Sequence, residues 1–383
     1  MDKVVPRAGK PPQDRVNKAN CRTFAAKWNR GVLEELQKAL ARDPELDLAT
    51  LLSPSYSAKL QSYKAADYAM NSTRPRRKFP DHDIRSRIDA GDPSEVVYEL
   101  SPELQDLLQA GGSVSESIVN LVAESEVLYK GVWAAAVMVF RLSKDMVVKF
   151  TDENSAVSEY ESLAYVQKEL PGFPAPRPHG VIRLGTYGLL FTDFVPGLSL
   201  EKAWPQMDHD QKRSISGQID VLFADLRSLP IPADAPLGNV RGRGCRDGRR
   251  GVRINSTPIR STEEFEDWIF AGSKTASTVY TRFLRDLLPE TTVKCVFTHG
   301  DLRPANIIVE KSVDPEEWRI CAIIDWETSG FYPEYWESAK MTNNLTPRDD
   351  CDWYNHLPTS ISPHRYSSRW LVDRLWDQCM LNS

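Results

Sequence analysis

Two short polar motifs, each beside an apolar run, restrict the fold of this chain more than any other feature. The first occupies residues 298–306, reads Thr-His-Gly-Asp-Leu-Arg-Pro-Ala-Asn, and leads into the apolar run Ile-Ile-Val. The second occupies residues 323–327 and reads Ile-Ile-Asp-Trp-Glu, with its aspartate 24 positions after the aspartate of the first. Loop residues next to buried strands are where a rigid scaffold carries function. The two motifs therefore predict one polar site built at the ends of strands.

The residue types and their spacing predict phosphoryl transfer from a nucleotide. Asp301 would accept or orient the proton of an attacking hydroxyl group. Asn306 and Asp325 would hold the Mg²⁺ ions that neutralise the phosphates of ATP. The alternatives are structural, with Asp301 and Asn306 capping a turn and Asp325 in a plain salt bridge. Because a carboxylate at the end of a buried strand is costly unless it is paired or metal-bound, we expect Asp325 to bind metal.

Three neighbours of these residues have simpler expected roles. His299 is expected to hold the loop through backbone hydrogen bonds, and Trp326 to pack in the core. Glu327 could join the metal site or be a solvated or ion-paired side chain, and the sequence does not separate these alternatives.

A lysine on an apolar strand supplies the predicted phosphate-binding cation. Lys149 lies in the run Met-Val-Val-Lys-Phe, which reads as the third strand of a small lobe, where kinases place the lysine that contacts the α- and β-phosphates. Glu159 follows ten residues later in a predicted helix and is the favoured ion-pair partner. Glu161 is the alternative, on a different face of that helix.

The nucleotide base and the phosphate-covering loop are assigned by position. The backbone groups of Thr192, Asp193, Phe194 and Val195 would form a hinge that hydrogen-bonds adenine. Residues 129–134 lie between the first strands and contain one glycine and no G-x-G-x-x-G, so this loop is the weakest part of the predicted site.

The order of predicted elements indicates a fold class. Apolar and β-branched runs predict strands at 118–129, 135–142 and 146–150, then a helix at 155–169. Two more strands, around Val181 and at 187–191, precede a mainly helical half in which 211–229 is the clearest helix. This order predicts an α+β, protein-kinase-like bilobal fold with a small antiparallel-sheet N-lobe and a mainly helical C-lobe.

The N-terminal third is expected to be an extension of that fold. Residues 1 to about 20 read as disordered, apolar positions in 23–40 recur at helical spacing, and 102–108 reads as a helix that Gly111 and Gly112 close. The expected domains are therefore an N-terminal extension at 1–110, partly disordered and partly helical, an N-lobe at 115–195 and a C-lobe at 196–383.

Composition excludes several classes of partner. A net charge of −5 argues against nucleic acid, and no apolar run approaches the length of a membrane span. Six scattered cysteines without a C-x-x-C pair are typical of reduced thiols, so we expect a cytoplasmic protein. The basic N-terminus leaves a mitochondrial transit peptide open, although Pro6, Pro11 and Pro12 would interrupt its helix. The sequence does not reveal the oligomeric state.

Two further patterns have open interpretations. Residues 241–253 contain six arginines, which could capture an anionic substrate or an ATP phosphate, or form a flexible solvated loop. The C-terminal aromatic residues could line an acceptor pocket or pack between helices: Trp353, Tyr354, Tyr366, Trp370 and Trp376.

The motifs resemble the aminoglycoside phosphotransferase and choline kinase superfamily, and most of all the fungal branch of phosphotransferase-family proteins. The resemblance is carried by His-Gly-Asp-Leu at 299–302 with Asn306, by Ile-Asp-Trp-Glu at 324–327, and by Gly-Phe-Tyr-Pro-Glu-Tyr-Trp-Glu at 330–337. It extends to Pro-Ala-Pro at 174–176 and Phe-Val-Pro-Gly at 194–197, and covers roughly residues 115–345.

The resemblance implies phosphorylation of a hydroxyl group on a small molecule, with ATP and Mg²⁺. It implies Asp301 as the base, Asn306 and Asp325 on Mg²⁺, and Lys149 on ATP. Arg303 stands where many members of the superfamily carry histidine. The identity of the acceptor lies beyond these motifs, because acceptor pockets are built from variable helical insertions.

Two other functions are compatible with the same fold. A non-catalytic kinase-like protein would bind nucleotide, metabolite or a partner, and the glycine-poor loop and long extension leave it open. A protein kinase is disfavoured, because Asp325 is followed by Trp-Glu and no Ala-Pro-Glu motif comes after it.

Overall fold

The computed structural model of the chain describes residues 24–53, 55–71, 79–80, 82–109, 112–131, 137–232, 234–248, 253–273, 275–290, 293–312 and 317–381. Several expectations fall outside these residues: disorder at 1–20, most of the glycine-poor loop, and the arginines at 249 and 250. The chain divides into two compact units, residues 1–80 and 81–383. Among the described helices, none is long and apolar enough to cross a lipid bilayer.

The first unit is helical where it is described. It contains α1 (Phe24–Leu40), α2 (Leu48–Leu51) and α3 (Tyr56–Asn71). The first of these is the helix predicted from the apolar spacing at 23–40. The rings of Trp28 and Tyr63 lie 5.6 Å apart, and the Tyr56 hydroxyl donates to Asn29 Oδ1 at 2.8 Å. Helices α1 and α3 therefore pack against each other.

The second unit begins with a six-stranded sheet and the helices that flank it. These elements are β1 (Ser94–Tyr98), α4 (Pro102–Leu108), α5 (Val114–Glu124), β2 (Glu126–Lys130), β3 (Met138–Arg141), β4 (Met146–Thr151), α6 (Glu153–Glu169), β5 (Pro178–Leu184) and β6 (Tyr187–Asp193). The strands are antiparallel in the order β1-β5-β6-β4-β3-β2. Alternating positions of the central strands point into one apolar core that contains Phe140, Val148, Phe150, Leu189 and Phe191.

The strand predicted at 118–129 is wrong over its first half. Residues 114–124 form helix α5, and only Glu126–Lys130 is a strand. Ser113 caps the helix by accepting from Glu116 N–H, and Ile118 and Val122 are buried at the four-residue spacing of one helix face. A short apolar run does not distinguish helix from strand, so the cap and the burial decided the outcome.

The sheet also contains a strand that was not predicted. Strand β1 pairs with β5, with Val96 opposite Ile182, although residues 94–98 belong to the segment expected to be an extension. Pairing between segments some 85 positions apart leaves no local signal, because a long-range partner supplies the hydrogen bonds. The three-part division at 110–115 and 195–196 stays a prediction.

The remainder of the second unit is mainly helical. Its elements are β7 (Leu198–Ser199), α7 (Leu200–Ala203), α8 (His209–Arg227), β8 (Arg246–Asp247), β9 (Arg253–Ile254), α9 (Thr262–Phe270), α10 (Thr278–Asp286), β10 (Cys295–Thr298), β11 (Ile307–Lys311), β12 (Trp318–Ile323), β13 (Gly330–Pro333), α11 (Trp336–Met341) and α12 (Ser367–Leu381). Its core combines aliphatic and aromatic side chains, and Trp353, Tyr366 and Trp376 are buried there. These three C-terminal aromatics therefore pack in the core, the second of the two expected roles.

Candidate active site

The hairpin of β11 and β12 brings the two polar motifs together. Ile307 at the start of β11 lies opposite Ile323 at the end of β12, and Ile324 N–H donates to the Asn306 carbonyl at 2.9 Å. Asn306 and Asp325 consequently leave the hairpin at the same end, as the strand-end pattern predicted. Strand β10 ends at Thr298 and delivers the loop that begins with His299 to the same place.

Asp301 is held by its own loop. Asn306 Nδ2 donates to the Asp301 carbonyl at 2.9 Å and to Asp301 Oδ2 at 2.8 Å, and Arg303 Nε donates to the same Oδ2 at 3.1 Å. Burial raises the pKa of Asp301 to about 6, although Arg303 opposes that rise. The carboxylate is thus oriented by two side chains from its own motif and is more basic than an exposed aspartate.

Asp325 has an unusual backbone conformation. Its φ is +71°, in the left-handed region that residues other than glycine seldom adopt. Strand β12 ends two residues earlier, and the indole N–H of Trp326 donates to the Ile323 carbonyl at 2.8 Å. A conformation of this kind costs about 1–3 kcal/mol and persists only where surrounding contacts enforce it. At Asp325 this backbone conformation turns the chain after β12, and the carboxylate contacts Lys149.

Lys149 lies at the centre of three carboxylates. Its Nζ is 2.7 Å from Glu159 Oε2, 2.5 Å from Asp325 Oδ1 and 3.1 Å from Glu327 Oε2. Glu159 is therefore the partner that the sequence favoured, whereas Glu161 pairs with Arg243 instead. Burial disfavours the charge of Lys149, but the three carboxylates outweigh it and hold the lysine pKa well above its usual value.

The carboxylates respond differently to this crowding. Burial raises the pKa of Glu159 to about 7, against the attraction of Lys149. The pKa of Asp325 is instead lowered: burial would raise it, but Lys149 and Arg303 overcome that effect. Asp325 is thus more firmly ionised than Glu159.

The acidic cluster fits a divalent cation. Oxygens of Glu159, Asp325 and Glu327 all lie within 4.8 Å of one another. Among the described side chains, the ion pairs of these three acids and of Asp301 are made with two cations, Lys149 and Arg303, so negative charge is in excess. Hard oxygen donors with an excess of negative charge suit Mg²⁺. Asn306 uses its amide hydrogens on Asp301, which leaves its carbonyl oxygen as the atom that could bind a cation.

His299 is a structural residue, as expected. The ring is fully buried, its Nε2 lies 3.1 Å from the Ile324 carbonyl, and its Nδ1 accepts from Asp301 N–H at 3.2 Å. Burial lowers the pKa of His299 to about 4, so the ring is neutral and bridges the two motifs. The next residue must be glycine: Gly300 has φ +79°, and a Cβ there would lie 2.8 Å from the Thr328 carbonyl oxygen.

Glu337 holds the loop that begins at His299, a role that the sequence pattern did not predict. Its buried carboxylate accepts from His299 N–H at 2.7 Å and from Gly300 N–H at 3.2 Å. Burial raises its pKa to about 7, while Arg227 and the two N–H groups oppose the rise. The family-like run at 330–337 contained this glutamate, but only the tertiary structure shows which backbone groups it binds.

We expect Glu337→Ala to destabilise the protein. The variant leaves two buried N–H groups of the loop without an acceptor, which should cost about 2–4 kcal/mol of unfolding free energy. Urea unfolding followed by circular dichroism measures this. Glu337→Gln keeps an oxygen acceptor and serves as the matched control, with a smaller loss. Equal stability of the alanine variant and the parent protein would contradict this role.

The hinge segment is partly committed to internal contacts. Asp193 N–H donates to the Arg177 carbonyl at 3.0 Å, and Phe194 N–H donates to the Asp145 carbonyl at 2.8 Å. The Asp193 carboxylate lies 2.8 Å from His179 Nε2. The N–H groups of Asp193 and Phe194 are therefore already used. The expected adenine contacts would have to be made by the other backbone groups of residues 192–195.

Comparisons with known proteins agree with this geometry. The sequence profile of the phosphotransferase enzyme family matches residues 131–368. No curated protein sequence matches the chain.

Several solved structures are similar in fold. An aminoglycoside-3'-phosphotransferase of type VIII is 16% identical over 67% of this chain and 92% of its own, with a TM-score of 0.42. A putative fructosamine-3-kinase from Haemophilus somnus is 13% identical over 68% and 90%, with a TM-score of 0.41. An aminoglycoside phosphotransferase from Streptomyces rimosus, in complex with ADP and streptomycin, is 16% identical over 72% and 96%, with a TM-score of 0.39.

The order of the elements and the sheet topology have the protein-kinase-like bilobal α+β architecture that the sequence predicted, preceded by a helical N-terminal extension. The family profile spans both the sheet with Lys149 and the loops with Asp301 and Asp325, well over half of the chain. The chain belongs to the phosphotransferase enzyme family.

Proposed function

We propose that this protein transfers the terminal phosphoryl group of ATP to a hydroxyl group of a small molecule, in a metabolic or specialised-metabolite pathway. The observation that carries the proposal is the contact of Lys149 with both Glu159 and Asp325 beside the Asp301 loop. This contact joins Lys149 on the sheet, and Glu159 on the flanking helix α6, to Asp325 of the mainly helical part. Phosphoryl transfer needs such a cation and such acids together, because its catalysis is positioning and charge stabilisation.

Each side chain has a role that follows from its surroundings. Lys149 would contact the α- and β-phosphates, with Glu159 holding its ammonium group in place. Asp301 would orient the acceptor hydroxyl and accept its proton, which its raised pKa favours. The backbone of Thr192–Val195 would receive adenine.

Arg303 adds a second cation close to the acids. Its Nε lies 3.1 Å from Asp301 Oδ2 and its Nη2 lies 3.8 Å from Asp325 Oδ2. Its side chain is 40% exposed, so the guanidinium remains accessible to a ligand. It would stabilise negative charge on the transferring group.

Asn306 and Asp325 would hold Mg²⁺. When bound, the ion would neutralise phosphate charge and fix the terminal phosphate. Glu327 is ion-paired with Lys149 and lies within the oxygen cluster, so both of its expected roles are compatible with its position.

The cellular setting belongs to the same proposal. The described cysteines at 245, 295, 321, 351 and 379 are free thiols, which suits the cytoplasm. The acceptor would be a hydroxylated small molecule, because no Ala-Pro-Glu motif follows Asp325 to anchor a peptide-binding segment.

Calorimetric titration with ATP tests the donor half of the proposal. We expect binding that depends on Mg²⁺, disappears when EDTA is added and weakens at least about tenfold in Lys149→Met, which lacks the phosphate-binding cation. Lys144→Met, at an 87%-exposed lysine just before β4, is the matched control and should bind normally. The absence of binding at protein concentrations that detect millimolar affinity would favour the non-catalytic kinase-like protein. If binding is present, transfer to panels of sugars, amino alcohols and other hydroxylated metabolites tests the acceptor half.

A further inference from the structure

The arginine-rich segment is attached to the helix that carries Glu159. We define the arginine loop as residues 239–247. Arg246 Nη2 donates to Ser155 Oγ at 2.8 Å, and Asn239 Nδ2 donates to Ser158 Oγ at 3.0 Å. Together with the Arg243–Glu161 pair, the loop reaches α6 at positions 155, 158 and 161. These positions follow at three-residue spacing along one side of the helix. Glu159 lies between them in the sequence but projects from a different face of α6, toward Lys149.

The strongest of these contacts is a bidentate ion pair. Arg243 Nε lies 3.0 Å from both carboxylate oxygens of Glu161, and Arg243 Nη2 lies 2.9 Å from Oε1. The Glu161 side chain is 1% exposed, and its Oε1 also accepts from the Tyr98 hydroxyl at 2.5 Å. A buried carboxylate that loses its cation is left uncompensated, so this pair resists displacement of the helix.

The loop, and Gly238 just before it, are also joined to strand β13, which follows the Asp325 motif. Gly238 N–H donates to the Phe331 carbonyl at 2.7 Å, and Phe331 N–H donates to the Gly238 carbonyl at 2.8 Å. Arg246 N–H donates to the Tyr332 hydroxyl at 3.0 Å. Phe331 comes six residues after Asp325, so one side of the loop holds α6 and the other side holds the Asp325 segment.

The loop is stiffened by its own hydrogen bonds. Asn239 N–H donates to the Gly244 carbonyl at 3.1 Å, and Asn239 Oδ1 accepts from Arg241 N–H at 2.7 Å. Because these hydrogen bonds close the turn, the contacts on its two sides are held at a fixed distance from each other. Residues 239–247 are therefore not a flexible solvated loop. The guanidinium groups of Arg243 and Arg246 bind Glu161 and Ser155 of α6.

We propose that the arginine loop is a clamp that fixes helix α6 relative to the Asp325 segment, so that Glu159 meets Lys149. Arg243 and Glu161 are positioning residues that act through Glu159, and Asn239 and Arg246 reinforce them. This role rests on the proposed phosphoryl transfer only for its effect on rate. The holding of α6 is a property of the folded protein and can be measured without any acceptor.

The test compares Arg243→Met with the parent protein by two measurements on the full chain. The first is amide hydrogen exchange of helix α6, residues 153–169. Strands β5 and β6, residues 178–193, serve as the internal reference. The second is steady-state hydrolysis of Mg-ATP, with water as the acceptor, well below the unfolding temperature. Arg241→Met alters an exposed arginine of the same loop and is the matched control. Arg243→Lys keeps the charge without the bidentate geometry, and Glu161→Gln completes a double-mutant cycle.

The clamp predicts faster exchange in α6 and a kcat for hydrolysis lowered by about ten- to a hundredfold in Arg243→Met, with a smaller change in KM for ATP. Arg243→Lys should lie between that variant and the parent, and Arg241→Met should match the parent. The double variant Arg243→Met, Glu161→Gln should have the same kcat and the same exchange in α6 as Arg243→Met alone, because each substitution breaks the same ion pair.

Other outcomes separate the clamp from the proposed function. Unchanged exchange in α6 overturns the clamp. Faster exchange with unchanged kcat overturns the positioning role, because the pair then serves stability alone. A parent protein that neither binds nor hydrolyses Mg-ATP refutes the proposed function, whereas faster exchange in α6 of Arg243→Met would still support the holding of the helix.

Discussion

Asp301→Asn should lower the rate of phosphoryl transfer by about 100- to 10,000-fold while leaving the affinity for Mg-ATP nearly unchanged. Asparagine has almost the same shape as aspartate and can still accept from Asn306 Nδ2 and Arg303 Nε. It cannot take a proton from the acceptor. The change therefore removes the base and little else.

The measurement pairs single-turnover transfer, once an acceptor is known, with calorimetric titration of Mg-ATP. Until then, hydrolysis of Mg-ATP reports the same step with water as acceptor. Asp210→Asn, at an aspartate whose side chain is 85% exposed near the start of α8, controls for the loss of one negative charge. A variant at position 301 that transfers phosphate at the parental rate would show that another group accepts the proton.

Asp325→Asn is expected to have the second large effect, and on binding. Mg-ATP affinity should fall by about tenfold to a hundredfold, with transfer lost as well. Asp325 is the only acid that contacts Lys149 and also lies within 4 Å of Arg303 among the described side chains. Its low pKa keeps it charged at neutral pH, so its replacement removes a full negative charge from the proposed metal site.

Glu327→Gln is the informative comparison for this prediction. Glu327 contacts Lys149 at 3.1 Å but is expected either to assist the metal or to be only an ion-pair partner. A small effect at 327 beside a large effect at 325 would assign the metal to Asn306 and Asp325. Equal loss of Mg-ATP binding in Asp301→Asn and Asp325→Asn would mean that their roles are misassigned.

The two predictions differ because the two aspartates meet different neighbours. Asp301 contacts Asn306 and Arg303 of its own loop, and in the proposed function it orients the acceptor. Asp325 contacts Lys149 of the sheet, and in the proposed function it helps to hold Mg²⁺ at the phosphates. Weak Mg-ATP binding in Asp325→Asn, and slow transfer with normal binding in Asp301→Asn, would match these separate contacts.

Much of the fold was accessible from local patterns. Helices at 24–40, 102–108, 153–169 and 209–227 have caps or apolar spacing that the sequence shows directly. The strand with Lys149 was equally clear. Such elements are specified by their own residues, so their prediction does not require knowledge of distant partners.

The two mispredicted elements differ in what decides them. Residues 118–124 are apolar enough for either helix or strand, and the Ser113 cap together with the burial of Ile118 and Val122 selects the helix. That cap is a local signal which the apolar pattern of the run outweighed. Strand β1 instead gains its hydrogen bonds from β5, far along the chain, so no window of neighbouring residues could show it.

The sequence by itself determined which side chains are candidates for phosphoryl transfer: the acids at 301 and 325, the amide at 306 and the lysine at 149, at spacings typical of a phosphotransferase. Only the tertiary structure decided which groups touch. In it, Lys149 pairs with Glu159, Glu161 pairs with Arg243, and the Glu337 carboxylate accepts from His299 N–H. The physical reason is that residue type fixes what a side chain can do, whereas its charge, burial and hydrogen bonds depend on elements that meet only after folding.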